Sequence, residues 1–140
     1  MKILLPVDGS DYTKRMLGYV GAHDEMFGPD TEYVALTVVA PIPPEVTHFI
    51  ARKVVDDYYA ERAHEVLEPV RAFAAQQRWR LRASFVVGHA AEAIAATAKA
   101  ERPDMVVMGS HGHTALGNVI LGSVTNGVLG RCRVPVLVIR

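Results

Sequence analysis

Asp104-Met105-Val106-Val107-Met108-Gly109-Ser110-His111-Gly112, followed nine residues later by Gly122-Ser123, decides the reading of this chain. The stretch reads as a buried strand, a glycine turn, a loop, and then Gly-Ser opening a helix. Glycines at the carboxyl end of a strand let backbone approach a ligand where a side chain would collide. The first turn of the helix after Gly122-Ser123 offers unpaired N–H groups and the positive end of a dipole, both of which favour an anion. Two such elements converging on one loop form a phosphate cradle.

Working outward, four more segments read as strands: residues 2–7 and 33–39, which are continuous apolar runs, residues 81–87, which end at Gly88, and residues 134–139. Runs without polar alternation predict strands covered on both faces, as in parallel sheets. Helical patterns lie between them. Ser10 is a candidate N-cap for a short helix that ends near Gly28-Pro29. Val55, Tyr59, Ala63, Val66, Val70 and Phe73 recur at three- and four-residue steps and mark one face of a long helix. Pro69 inside it predicts a kink or a break. Residues 90–101 and 123–131 give two further helices.

Strand–helix alternation at this spacing indicates an α/β domain over residues 1–140, with a mostly parallel five-stranded sheet and helices on both faces. In a flavodoxin-like strand order, 3-2-1-4-5, ligands bind where the direction of winding reverses, between the first and fourth strands. Those strands end at Val7-Asp8-Gly9-Ser10 and at Gly109-Ser110-His111-Gly112. The two most polar, glycine-bearing strand ends thus meet at the expected crevice.

Composition narrows the classes. Fifteen basic residues balance fifteen acidic ones, so no overall field favours nucleic acid or an anionic membrane. The single Cys132 excludes an intrachain disulfide and a multi-cysteine zinc site. No apolar run approaches the roughly 20 residues that cross a bilayer, and the apolar start of the chain is short for a signal peptide, so a cytoplasmic location is expected. The segment from Gly109 to Gly130 holds six glycines and no Lys, which rules out a Walker A loop. A nucleophile elbow, Gly-x-Ser-x-Gly around Ser110, would need Gly where Met108 stands. Phosphate cleavage needs a positioned base, and none is evident beyond Asp8. At most slow hydrolysis of a nucleotide is expected.

The combined pattern resembles the universal stress protein family in its ATP-binding branch. The resemblance rests on Gly109-x-x-Gly112, nine residues, Gly122-Ser123, with Val106 to His113, Leu121-Gly-Ser-Val-Thr125 and Val134-Pro135-Val136-Leu137-Val138-Ile139 around it. Ile3-Leu-Leu-Pro-Val-Asp-Gly-Ser10 and Leu36-Thr-Val-Val39 extend it to the whole chain. It implies ATP, or AMP or ADP, as the ligand, with Mg²⁺ or Mn²⁺ held through the phosphates. It implies backbone of Gly109, Gly112 and Gly122 around those phosphates, with Ser123 and Thr125 contributing polar contacts. Asp8 matches the acid that contacts ribose, and Pro6 and Val38 match positions near adenine. Val7, Met108, Ser110, His111, His113 and Val124 complete the candidate set on the same strand ends and helix start. Asp8-Gly9-Ser10 is also a good turn and cap sequence, so Asp8 has two readings. His113 stands where archetypal ATP-binding members carry Lys or Arg, and a neutral imidazole compensates phosphate charge less.

The alternative is a nucleotide-free dimeric module whose glycine loop is only structural. A homodimer is expected either way. In the assumed order the last strand lies at a sheet edge, where pairing with another chain would cover it, and Pro135 suits an early edge position.

Overall fold

The computed structural model describes residues 1–114, 117, 118 and 120–140. The chain forms β1 (Lys2–Pro6), α1 (Asp11–Ala22), α2 (Asp24–Phe27), β2 (Glu32–Val39), α3 (Pro44–Thr47), α4 (Arg52–Gln76), β3 (Arg80–Val87), α5 (Ala90–Glu101), β4 (Met105–Gly109), α6 (Ser123–Arg131) and β5 (Val136–Ile139). The sheet order is β3-β2-β1-β4-β5, and every pairing is parallel. The flavodoxin-like arrangement expected from the sequence is the one observed.

The central strand explains why the sheet is filled from both sides. Ile3, Leu4 and Leu5 are fully buried, and successive side chains leave a strand on opposite faces. Ile3, Leu5 and Val7 enter a core with Met16, Leu17 and Val20 of α1 and Ala63, Leu67 and Val70 of α4. Leu4 enters the other core with Ile94 and Ala98 of α5 and Val128 of α6. Ser10 caps α1, accepting a hydrogen bond from the Thr13 amide as its sequence position suggests.

Three expectations are corrected. The first helix stops at Ala22, and a separate short turn, α2, carries the chain to Gly28, whose φ of 62° lies in the left-handed region. The long helix runs unbroken through Pro69, so of the kink or break expected there the break does not occur. Pro69 and Glu65, whose carbonyl loses its helical partner, are both exposed, so water meets that carbonyl while Leu67, Val70 and Ala74 hold the helix to the sheet. Coverage on both faces also fails at β3, where Arg80, Arg82, Ser84, Phe85 and Val87 are exposed because the strand lies at an edge.

At the amino ends of the strands an ionic clasp closes the sheet. Glu101, the last residue of α5, receives Lys2 Nζ at 2.7 Å and both terminal nitrogens of Arg82 at 2.9 and 2.8 Å. These hydrogen bonds, Arg82 first and Lys2 second, lower the Glu101 carboxyl to about 2 from 4.5. A carboxyl depressed by folding stabilises the native state fully above its unfolded value. That stability is lost as pH falls from about 4.5 to about 2. Glu101→Gln should therefore lower stability at neutral pH by about 1 kcal/mol, allowing for solvent screening. The difference from the parent should vanish near the acid limit. Urea unfolding across that pH window measures both effects.

Candidate functional site

The carboxyl ends of β1 and β4 are neighbours, and a cleft opens beyond them. Pro6, Val7, Leu36 and Val38 form one part of its wall, and Ala90, Ile94, Met108 and Val124 another. Its polar lining is Asp8, Thr13, His111 and Thr125, with the backbone of Gly109 and Gly112. A largely apolar cavity with a few convergent polar groups is the usual form of a small-ligand site.

Each polar group is positioned by bonds that can be traced to the sequence. Asp8 Oδ1 accepts from the Ser10 amide at 2.9 Å and from the Thr13 hydroxyl at 2.9 Å, while Thr13 Oγ1 accepts the Asp8 amide at 3.1 Å. Gly9 sits at φ 77° to make this turn. Asp8 thus fulfils its turn role with one carboxylate oxygen. Oδ2 points at the opposite loop, 2.5 Å from where a Cβ on Gly112 would stand. The two readings of Asp8 are compatible because they use different oxygens.

The β4–α6 loop is fastened to its surroundings. His113 Nε2 donates to the Asp8 carbonyl at 2.7 Å, which requires the proton on Nε2 because a carbonyl only accepts. Ser110 is 1% exposed, and its hydroxyl hydrogen-bonds His111 Nδ1 at 3.0 Å. The His111 ring leans on Tyr12 with centroids 5.0 Å apart. Thr125 Oγ1 lies 3.0 Å from the Gly109 carbonyl and 3.1 Å from that of Ser110, and donates to them. The Gly122 amide donates to the Ser110 carbonyl at 2.8 Å.

These bonds change what several candidate residues can offer. The amide of Gly122 and the hydroxyl of Thr125 are committed to the protein's own carbonyls, so they hold the loop in place. The glycines are also demanded by internal packing, where the sequence suggested room for a ligand. A Cβ on Gly109 would lie 2.8 Å from Tyr12 Cβ, and one on Gly122 would lie 3.1 Å from His111 Cα. What α6 does present is its first turn. Gly122 is the N-cap and has no side chain with which to close it, so the leading N–H groups and the dipole face outward.

Of the candidate residues, Pro6, Val7, Asp8, Val38, Met108, Gly109, His111, Gly112, Val124 and Thr125 line the cleft. Ser110, His113, Gly122 and Ser123 surround it in the loop and at the start of α6 without lining it. Sequence reasoning missed Thr13, Leu36, Ala90 and Ile94. Ala90 and Ile94 begin the helix after β3, and only their apolar three- and four-residue spacing marks them, a signal shared with any core helix. Among the described residues no group of three or more His, Cys, Asp or Glu side chains could hold a metal ion. No described helix is long and apolar enough to cross a membrane.

The sequence pattern of the Universal stress protein family matches residues 1–140. This chain belongs to that family. It is 31% identical to a universal stress protein of Thermus aquaticus over 99% of this chain and 97% of that protein. It is 26% identical to universal stress protein MJ0531 of Methanocaldococcus jannaschii, over 99% of this chain and 81% of the other. Among solved structures, hypothetical protein MJ0577 superposes with a TM-score of 0.83 at 30% identity, covering 99% of this chain and 94% of that one.

The packing around Gly109 yields a paired test. Gly109→Ala should destabilise this universal stress protein by about 1–3 kcal/mol, because Tyr12 lies on a helix that cannot yield. Gly18→Ala, in α1 with nothing near its added methyl, should stabilise by about 0.5–1 kcal/mol. Denaturant midpoints of both variants measure the contrast.

Proposed function

We propose that this universal stress protein binds an adenine nucleotide in the cleft between β1 and β4, and acts as a nucleotide-dependent module of the stress response. One observation carries the reading: Asp8 keeps Oδ2 turned into a mostly apolar cleft at whose far rim the uncapped start of α6 stands. An apolar slot suits a base, a carboxylate oxygen suits the hydroxyls of a ribose, and outward N–H groups at a helix start suit phosphate. Two structural relatives support the ligand class. One, at 19% identity and a TM-score of 0.72, is a universal stress protein in complex with cAMP. The other, at 18% identity and a TM-score of 0.71, is an Arabidopsis thaliana family member with AMP bound.

In this reading Pro6, Val38 and Met108 flank the base, Asp8 takes the ribose, and Gly112, His113 and Ser123 with the first amides of α6 face the phosphates. ATP is the expected nucleotide, with AMP and ADP as related ligands. Mg²⁺ or Mn²⁺ would be held by the phosphates themselves, since among the described residues Asp8 is the only carboxylate lining the cleft. When bound, such a cation neutralises phosphate charge.

Titration calorimetry of ATP, ADP and AMP with Mg²⁺ into nucleotide-stripped protein tests this, and a saturable heat is expected. Asp8→Asn keeps an acceptor for Ser10 and Thr13 but turns an amide toward the ligand. It should weaken binding about tenfold. No heat with any of the three nucleotides would overturn the reading.

The packing of Gly109 and Gly122 against Tyr12 and His111 favours a second reading, in which the loop is structural and the protein works without nucleotide. A ratio of absorbance at 260 and 280 nm typical of bare protein, together with a silent titration, would establish it.

Either module is expected to be a homodimer. β5 lies at the sheet edge, all four of its residues are only half-buried, and Val134 and Pro135 lead into it. A two-fold axis would pair this strand with its mate and close both edges. Light scattering should give twice the chain mass. Val136→Asp or Val138→Asp should give the single-chain mass or insoluble protein, and a dimer indifferent to both would place the interface elsewhere.

A further inference from the structure

On the face of the sheet that carries α5 and α6, a second groove runs between the ends of those helices and the segment entering β5. Its floor is small and apolar, made by Ala95, Ala96, Cys132 and Val134. Its other lining residues are Lys99, Arg131 and Arg133, and among the described residues no carboxylate joins them. All three cations are exposed.

Cations without a carboxylate partner gather there. Lys2, Lys14, Arg52, Lys53, Arg62, Arg71, Arg80 and Arg82 each have such a partner. Arg15, Arg78, Arg102 and Arg140 have none among the described residues, but none of these four lines the groove. No ion pair of Lys99, Arg131 or Arg133 occurs among the described residues. The nearest acid in sequence, Glu101, is occupied by Lys2 and Arg82. Lys99 and Arg131 stand in the last turns of α5 and α6 and favour the dipoles there. Each helix end carries about half a negative charge, so two ends offset about one of three positive charges. Arg133 lies beyond both helices, and a surplus of about two positive charges remains over an apolar floor.

We propose that this groove is a docking site for an acidic peptide segment of a partner protein, one that alternates carboxylates with small apolar side chains. The cations meet the carboxylates, and the floor of alanine, valine and thiol accepts small apolar groups. Among the lining residues there is no aromatic ring on which a nucleic-acid base could stack, and three cations fall short of the four to eight that mark an anionic membrane surface. The site is separate from the nucleotide cleft and does not depend on it.

The probe is a fluorescein-labelled peptide of alternating glutamate and alanine, followed by fluorescence anisotropy on the full-length protein. Saturable binding that weakens with added salt is expected. Lys99→Glu and Arg133→Glu should each weaken it about five- to tenfold. Arg71→Glu on α4 changes the net charge equally on the opposite face of the sheet and should leave binding unchanged. The free thiol of Cys132, on the groove floor, gives a local readout, because bound peptide should slow its alkylation by iodoacetamide. Three results would overturn the proposal: no binding of this peptide, equal loss in Arg71→Glu, or unprotected Cys132 at saturation. Tighter binding of single-stranded RNA or of phosphatidylserine vesicles would assign the groove to those ligands instead.

Discussion

The close approach of α1 to the carboxyl end of β4 is the contact on which the rest of the site depends. Tyr12 lies so near Gly109 that no larger residue fits between them, and this fixes how far the first helix leans over the fourth strand. Because β1 and β4 are hydrogen-bonded neighbours, that lean brings the β1–α1 turn to the β4–α6 loop. The cleft is the space left over once those two segments are fastened. A backbone that met the same strand order with a side chain at position 109 would have to open it.

The fastening is achieved almost wholly with short-range polar bonds. Asp8, Ser10 and Thr13 satisfy one another within the turn, Thr125 ties the head of α6 to the end of β4, and His113 crosses to the Asp8 carbonyl. Among the described residues no buried side-chain polar atom lacks a partner. A site held this way is formed before a ligand arrives, so binding need not order it again, which favours affinity. Asp8 Oδ2, the oxygen on which the proposed ribose contact rests, is left over from a structural motif.

Charge is distributed along the strand direction. The amino ends of the strands are closed by Glu101 between Lys2 and Arg82, at the end of the sheet opposite the cleft. Among the described residues, one carboxylate, Asp8, lines the cleft at the carboxyl ends, and no Lys or Arg does. Recognition of an anionic group there would rest on backbone amides and imidazole, which orient a ligand more than they attract it from afar.

How much of this was legible in the sequence depends on the range of the signal. Continuous apolar runs ending in glycine and alternating with helical spacing determine a parallel α/β sheet, since no other layering buries strands on both faces. The same reading located the crevice at Asp8 and Gly109, because winding must reverse between the first and fourth strands. Ser10 as a cap was readable because capping is local. Pro69 misled, because whether a proline breaks a helix depends on where its orphaned carbonyl faces and on what the neighbouring turns bury. The glycines were legible only in part. Their spacing says that something approaches closely, but only the tertiary structure decides that at Gly109 and Gly122 the approaching atoms belong to Tyr12 and His111. The division of labour between the two oxygens of Asp8, and the commitment of Thr125 to backbone carbonyls, likewise join residues distant in sequence. No one-dimensional pattern encodes such contacts, because they arise only when packing brings separate segments together.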